Sequence, residues 1–248
     1  MSRTTGQAKI LAYHAAAMCR NLLAASVLVL TSFEPAYSDV KSVDVAIIFA
    51  IDASASIDEE DFSLQLQSIA SVFRDSEVQG SVVGGLDGVA LVTLVQWSTH
   101  AFVSIPWTRM GNAAQADAFA NKITRTQRVH DYVDFTCVSV ALRAIQREVL
   151  PAQPVPARRT IIDISSNGID NCSLHSSSES GRDELVAAGA TINALPILEG
   201  SESLMLERWY LEHVIGGPGA FVLPAQGFAD MDRAMRRKFL FEISLGYH

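Results

Sequence analysis

Positive charge is scarce in this sequence. No cluster of Lys and Arg occurs before Arg236-Arg237-Lys238, and the 248 residues carry a formal net charge of −8. A chain without a basic patch has no electrostatic footprint for a nucleic-acid backbone. The late basic run reads as a solvated helix face, where cations suit the end of a helix dipole. Long apolar runs are also missing. The segment Leu22 to Phe33 has about 12 residues, whereas a spanning helix needs roughly 17 or more, so a permanent membrane anchor is disfavoured. His100, His130, His175 and His213 are scattered without zinc-ligand spacing and read as surface or loop residues. The strand-turn-helix elbow Gly-x-Ser-x-Gly does not accompany any serine, which excludes that form of serine hydrolase. Repeats and low-complexity segments are absent as well.

What is present argues for one ordinary globular core. Hydrophobic residues make up 49% of the chain and charged residues 19%, a balance able to bury one sizeable domain. Arg3, Lys9 and Arg20 precede the apolar segment, and Ala36-Tyr37-Ser38 supplies small residues for cleavage. Residues 1–38 therefore read as an export signal and 39–248 as the domain, placed in the periplasm or outside the cell. Cys19 follows Met18 and precedes the apolar segment, the wrong place for a lipid-bearing cysteine. Cys137 and Cys172 remain after cleavage, in a compartment where disulfides persist. A bridge between them and two separate buried thiols are both open.

Strand-like and helix-like segments alternate from there on, which predicts βα units and a mainly parallel sheet. Val45 to Ile51 is apolar on both faces, as in a buried central strand. Glu59 to Phe73 carries Phe62, Leu66, Ile69 and Phe73 at helical spacing. Val89 to Trp97 and Ala101 to Ile105 are strands joined too tightly to be parallel. Helices are predicted over Ala113 to Ile123 and Val138 to Val149, with the polar loop Thr124 to Phe135 between them. A strand over Thr160 to Ser165, a helix over Asp183 to Ala188 ended by Gly189, and a strand over Thr191 to Leu198 follow. The chain closes with a helix over Ser203 to Val214, a strand over Ala220 to Leu223 and a helix over Phe228 to Leu245.

The most informative motif is Asp52-Ala53-Ser54-Ala55-Ser56, at the exit of the first strand. It combines one carboxylate and two hydroxyls, the oxygen ligands that hard divalent cations prefer. Loops leaving the carboxyl ends of strands are also where open α/β sheets bind ligands. A second reading stands beside the first: Ser56-Ile57-Asp58-Glu59 fits a capping box with Ser56 as the cap. Asp58 can cap the helix instead, which frees both serine hydroxyls. An enzyme is the rival class. A strand-end aspartate suits a magnesium-dependent phosphotransferase or hydrolase, but such enzymes need a second Asp where this chain has Ser54.

With the motif and the order of elements together, the chain resembles a von Willebrand factor A domain with its metal-ion-dependent adhesion site. Val95-Gln96-Trp97-Ser98, Ile162-Asp163-Ile164-Ser165 and Val214-Ile215-Gly216-Gly217-Pro218-Gly219-Ala220-Phe221-Val222 are similar to a bacterial secreted family of unknown function. The resemblance implies a three-layer, doubly wound α/β fold, Rossmann-like in winding. Its sheet is six-stranded and mainly parallel, with one antiparallel edge strand. It also implies metal ligands at Asp52, Ser54, Ser56, Thr136 and Asn167. The superfamily usually has Asp-Gly where this chain has Asn167-Gly168. Losing that charge removes on the order of several kcal/mol of gross attraction for a divalent ion, before screening and desolvation.

The resemblance further implies Mg²⁺, with Mn²⁺ or Ca²⁺ as alternatives, and a non-enzymatic adhesive role in which an acidic residue of a protein partner completes the ion's coordination. A metal-independent scaffold with a vestigial site is the competing reading. Joined, Cys137 and Cys172 tie the second metal loop to the third.

Thr93, Gln96, Asp163 and Asn193 interrupt strands that should be buried, so they are expected to be hydrogen-bonded, either as a network beneath the metal loops or wet at strand ends. Gly216-Gly217-Pro218-Gly219 leads into a strand rather than a helix, which favours a tight turn over a phosphate loop. Asp131 and Asp134 read as a solvated loop or as extra charge near Thr136.

Overall fold

Alternating apolar residues drive the central strand to bury both faces. In β1 (Val43–Asp52) Phe49 and Ile51 point to one side of the sheet, and Ile48 and Ala50 to the other. The computed structural model describes residues 42–83, 85–172, 177–199 and 203–244. The expected export signal, residues 1–38, and His175 lie outside the described residues.

The chain continues through α1 (Glu59–Arg74), α2 (Ser76–Val83), β2 (Ala90–Trp97), β3 (Ala101–Met110) and α3 (Ala113–Ile123). Next come α4 (Val138–Ala144), running on into a π-helical turn (Ile145–Val149), then β4 (Ala157–Ser166), α5 (Ser178–Ala187) and β5 (Ala190–Pro196). It closes with α6 (Ser203–His213), a 3₁₀ turn (Phe228–Asp230) and α7 (Met231–Ser244). The sheet order is β3-β2-β1-β4-β5, parallel except for the antiparallel edge strand β3. Register aligns Asp52 with Trp97 and Ile51 with Ser165, so the carboxyl ends of β1, β2 and β4 share one rim.

Each face of the sheet has its own core. On one, Phe49, Phe73, Phe119 and Phe239 meet from β1, α1, α3 and α7, with Phe73 and Phe119 edge-to-face at 5.0 Å. On the other, Ala50 and Trp97 pack with Leu142, Leu185 and Tyr210 from α4, α5 and α6.

Several expectations change. Among the described residues the sheet has five strands rather than six: around Val222 and Ala225 only isolated bridges to Ala194 and Ile197 form. Pro196 has no N–H to donate between the bonds from Ala194 N to Phe221 O and from Leu198 N to Ala225 O, which interrupts the ladder there. β3 runs on to Met110 through Pro106, tolerated because its outer edge is free. α2 was not foreseen; the Asp75 carboxylate accepts from Glu77 N and Val78 N at its start. α5 begins five residues early, where the Ser177 hydroxyl caps Ser180 N.

The run Arg236-Arg237-Lys238 is a solvated face at Arg236 and Arg237 but not at Lys238. Arg236 binds Asp75 and Glu77, while Lys238 is fully buried. Gly216 to Gly219 is the expected turn. Gly217 has φ +92°, and a Cβ there would lie 2.4 Å from Ala190 O, so no other residue fits.

Candidate metal centre

Asp58, not Ser56, caps α1: its Oδ1 accepts from Asp61 N at 2.9 Å. Ser56 is thereby free, and its Oγ donates to Asn167 Oδ1 at 2.7 Å. Ser54 Oγ lies 3.2 Å from Ser56 Oγ and 3.1 Å from Thr136 Oγ1. Three loops, one after β1, one before α4 and one after β4, thus bring four neutral oxygens to one place.

Asp52 stands behind them, fully buried. Its Oδ1 accepts from Ser54 N at 2.7 Å and its Oδ2 from Ser166 Oγ at 2.5 Å. Burial pushes its carboxyl up to about 6, against the pull of those hydrogen bonds and of Arg128. Beneath the loop, Gln65 Nε2 donates to Asp52 O while Ser165 Oγ donates to Gln65 Oε1. Arg128 donates to Ala53 O at 3.0 Å and to Ser54 O at 2.7 Å, fixing the loop from the side.

The third loop is held equally firmly. Gly168 N donates to Ser166 Oγ, Tyr210 donates to Gly168 O, and a Cβ on Gly168 would come within 3.3 Å of Thr136. Asp170 accepts from Ser139 N, Cys172 N and Ser178 Oγ. Thr136 N donates to Asn171 Oδ1, and Asn171 N to Thr136 O. Cys137 and Cys172 are joined, Cα to Cα 5.3 Å, which ties the second loop to the third.

The residues fit a hard divalent cation. Adjacent ligands of an octahedral site with bonds of ~2.1 Å lie about 3 Å apart, the spacing of the Ser56, Ser54 and Thr136 hydroxyls. Every donor is oxygen. Among the described residues no three His, Cys, Asp or Glu side chains gather as a metal-ligating group, so the centre rests on hydroxyls backed by one carboxylate. Ser54, Ser56, Thr136 and Asn167 are the residues that would touch an ion, with Asp52 supplying negative charge.

Other expected polar residues lie elsewhere. Thr93 donates to Ile105 O, and Gln96 bonds Ser104, Gln127 O and Val129 N, fastening β2 to β3 and to the second loop. Asp163 and Asn193 do not steer the third loop; they meet Lys238 and Glu242 of α7. Asp131 and Asp134 are mostly covered and brace their own loop: Asp131 accepts from Ser98 Oγ and His100 N, and Asp134 from Asp131 N. His213 pairs with Glu179, whose carboxyl is held down at about 2 by that bond. Ser166 had a sequence signal, a polar residue at the end of a strand beside Asn167. Arg128, Gln65 and Tyr210 had none.

No curated protein matches the chain. Among solved structures, proximal thread matrix protein 1 from the mussel byssus is similar at 15% identity and a TM-score of 0.63, covering 82% of this chain and 48% of that one. Another structure of that protein, described as having a zinc-occupied MIDAS motif, is similar at 16% identity, with a TM-score of 0.59 and coverage of 82% and 46%. The pilus adhesin SpaC from Lactobacillus rhamnosus GG, in its open conformation, is similar at 12% identity and a TM-score of 0.57, covering 82% and 30%. The chain thus spans about half the length of the mussel protein and under a third of the adhesin. At these identities the likeness is one of fold, and the fold is von Willebrand factor A-like. The family model described as protein of unknown function (DUF1194) matches residues 42–246, and the chain belongs to that family.

Proposed function

We propose that the chain is an exported, non-enzymatic binding module, residues 1–38 serving as its signal, which holds a divalent ion and captures a carboxylate of a protein partner. The observation that carries this reading is the meeting of the Ser54, Ser56 and Thr136 hydroxyls and the Asn167 amide oxygen above the buried Asp52. The zinc-occupied motif of the mussel structure supports a divalent ion in this fold. Mg²⁺ suits a site with one acid, because it keeps its own waters, and Mn²⁺ and Ca²⁺ are the alternatives. The test is calorimetry with Mg²⁺ and Mn²⁺ on three proteins. Asn167→Asp tightens binding, Asp52→Ala weakens it, and equal affinities across all three count against the assignment.

One observation favours a second reading, a scaffold whose site no longer takes metal. The Arg128 guanidinium sits against the first loop, where it opposes a cation, and Asn167 carries no compensating charge. Capture of a partner that survives EDTA separates this reading from the first.

A further inference from the structure

The loops that carry Thr136 and Asn167 also carry four exposed apolar side chains. Tyr132 is fully exposed, and Val133, Phe135 and Ile169 are 43%, 48% and 42% exposed. Phe135 immediately precedes Thr136. Ile169 follows Gly168, whose backbone lies against Thr136. An exposed apolar group of this kind, rich in aromatics, is the usual mark of a binding surface.

The other side of the same rim is acidic. Asp58, Glu59 and Glu60 project from the loop after β1 and the start of α1. Glu199 joins them, accepting from Asn167 Nδ2 at 3.3 Å. Partial burial pushes the Asp61 carboxyl up, and Asp58, Glu199 and Glu60 push it further, so these acids share one field. Arg128 is 7% exposed, donates to Ala53 O and Ser54 O and pairs with Glu59 at 3.5 Å, and His130 Nε2 lies 3.3 Å from the same carboxylate, so the acidic field offered to a partner is that of Asp58, Glu60 and Glu199.

We propose that the rim is a two-sided docking surface for a protein segment with one carboxylate between an apolar flank and a basic flank. The proposal builds on the metal reading, since the ion is what admits the carboxylate. Charge complementarity decides the remainder. An acidic half repels a partner with many carboxylates and attracts Lys or Arg, provided they lie within about 10 Å, the screening length at ordinary salt. The apolar half removes Tyr132, Phe135 and Ile169 from water against apolar partner side chains. A second copy of this chain is the poorer occupant, because it presents the same acidic rim and a net charge of −8.

The experiment uses the full chain, Mn²⁺ and fluorescein-labelled peptides in which Leu-Phe and Lys-Lys flank one Asp, made in both chain directions. In Mn²⁺ the better direction binds at least about fivefold more tightly than the same peptide with Ser-Ser for Leu-Phe or Glu-Glu for Lys-Lys, and Asn for the central Asp abolishes binding. Tyr132→Ser and Ile169→Ser erase the preference for Leu-Phe and leave Mn²⁺ affinity unchanged by calorimetry, and Glu60→Lys erases the preference for Lys-Lys. Mn²⁺ uptake with equal affinity for every peptide, or self-association in sedimentation in place of peptide binding, overturns the proposal. If Mn²⁺ is not taken up, the metal reading fails; flank-dependent capture in EDTA then keeps the surface, and no capture removes both.

Discussion

The Tyr210 hydroxyl donates to the carbonyl of Gly168 at 3.2 Å, so helix α6 holds the third loop beside Asn167 from beneath. Tyr210 is fully buried, and burial pushes its hydroxyl far above the ordinary tyrosine range, which keeps it a donor at any working pH. Gly168 N donates to Ser166 Oγ, the same hydroxyl that donates to Asp52. One short chain of hydrogen bonds therefore runs from α6 through the third loop to the acid behind the centre.

Tyr210→Phe removes one link of that chain while filling the same space. The net cost to stability is about 1 kcal/mol. The larger effect falls on the loop, so Mn²⁺ affinity drops several-fold while the melting temperature moves little. Calorimetry beside a thermal melt checks both, and unchanged Mn²⁺ binding would reduce Tyr210 to a core residue.

The Cys137–Cys172 bridge closes a loop with a sequence separation of 35. Chain entropy for a loop of that size predicts about 3 to 4 kcal/mol of stabilisation, lost in the Cys137→Ser, Cys172→Ser double variant. Denaturant midpoints of the two proteins measure it, and mass analysis without reductant finds no free thiol on Cys137 or Cys172 in the parent. Two free thiols there would remove both expectations.

Lys238 is fully buried between two carboxylates, 2.6 Å from Asp163 Oδ1 and hydrogen-bonded to Glu242. The Asp163 contact is an ion pair off hydrogen-bond geometry, since both of its carboxylate oxygens lack a hydrogen-bond partner. Lys238→Met leaves two buried acids with no cation and costs about 3 to 5 kcal/mol at neutral pH. The loss shrinks in acid, where the carboxyls take up protons.

Glu242 supplies the pH dependence. Burial pushes its carboxyl up to about 7, with Asp163 adding to the shift and Lys238 opposing it. The folded chain then keeps a proton that the unfolded chain releases above about 4.5, so this group's contribution is complete below that pH. It is lost as pH rises to about 7 and is level beyond. Glu242→Gln cannot titrate, so its stability relative to the parent rises between pH 5 and pH 8. Denaturant curves at several pH values decide, and a constant difference would exclude the proton retained on Glu242.

The sequence by itself determined the alternation of strands and helices, because local periodicity and turn residues record which face of each segment is buried. It also placed Asp52, Ser54 and Ser56 at a strand exit, where an apolar run gives way to short polar side chains. The same local signals misjudged the sixth strand, since pairing near Val222 depends on what Pro196, a distant residue, can donate. They misjudged Lys238 too, whose basic neighbours suggested a wet helix face.

Only the tertiary structure decided which groups meet. Ser56 and Asn167 are 111 residues apart in sequence, and Arg128 and Ser54 are 74 apart. Their contacts exist because parallel register brings the ends of β1 and β4 to one rim and the second loop folds over it. Such meetings leave no trace in the spacing of neighbours along the chain. The fold was legible for that reason, and three supports of the centre, Gln65, Arg128 and Tyr210, were not: a hydrogen bond between distant segments is a property of how the elements pack, not of any one element.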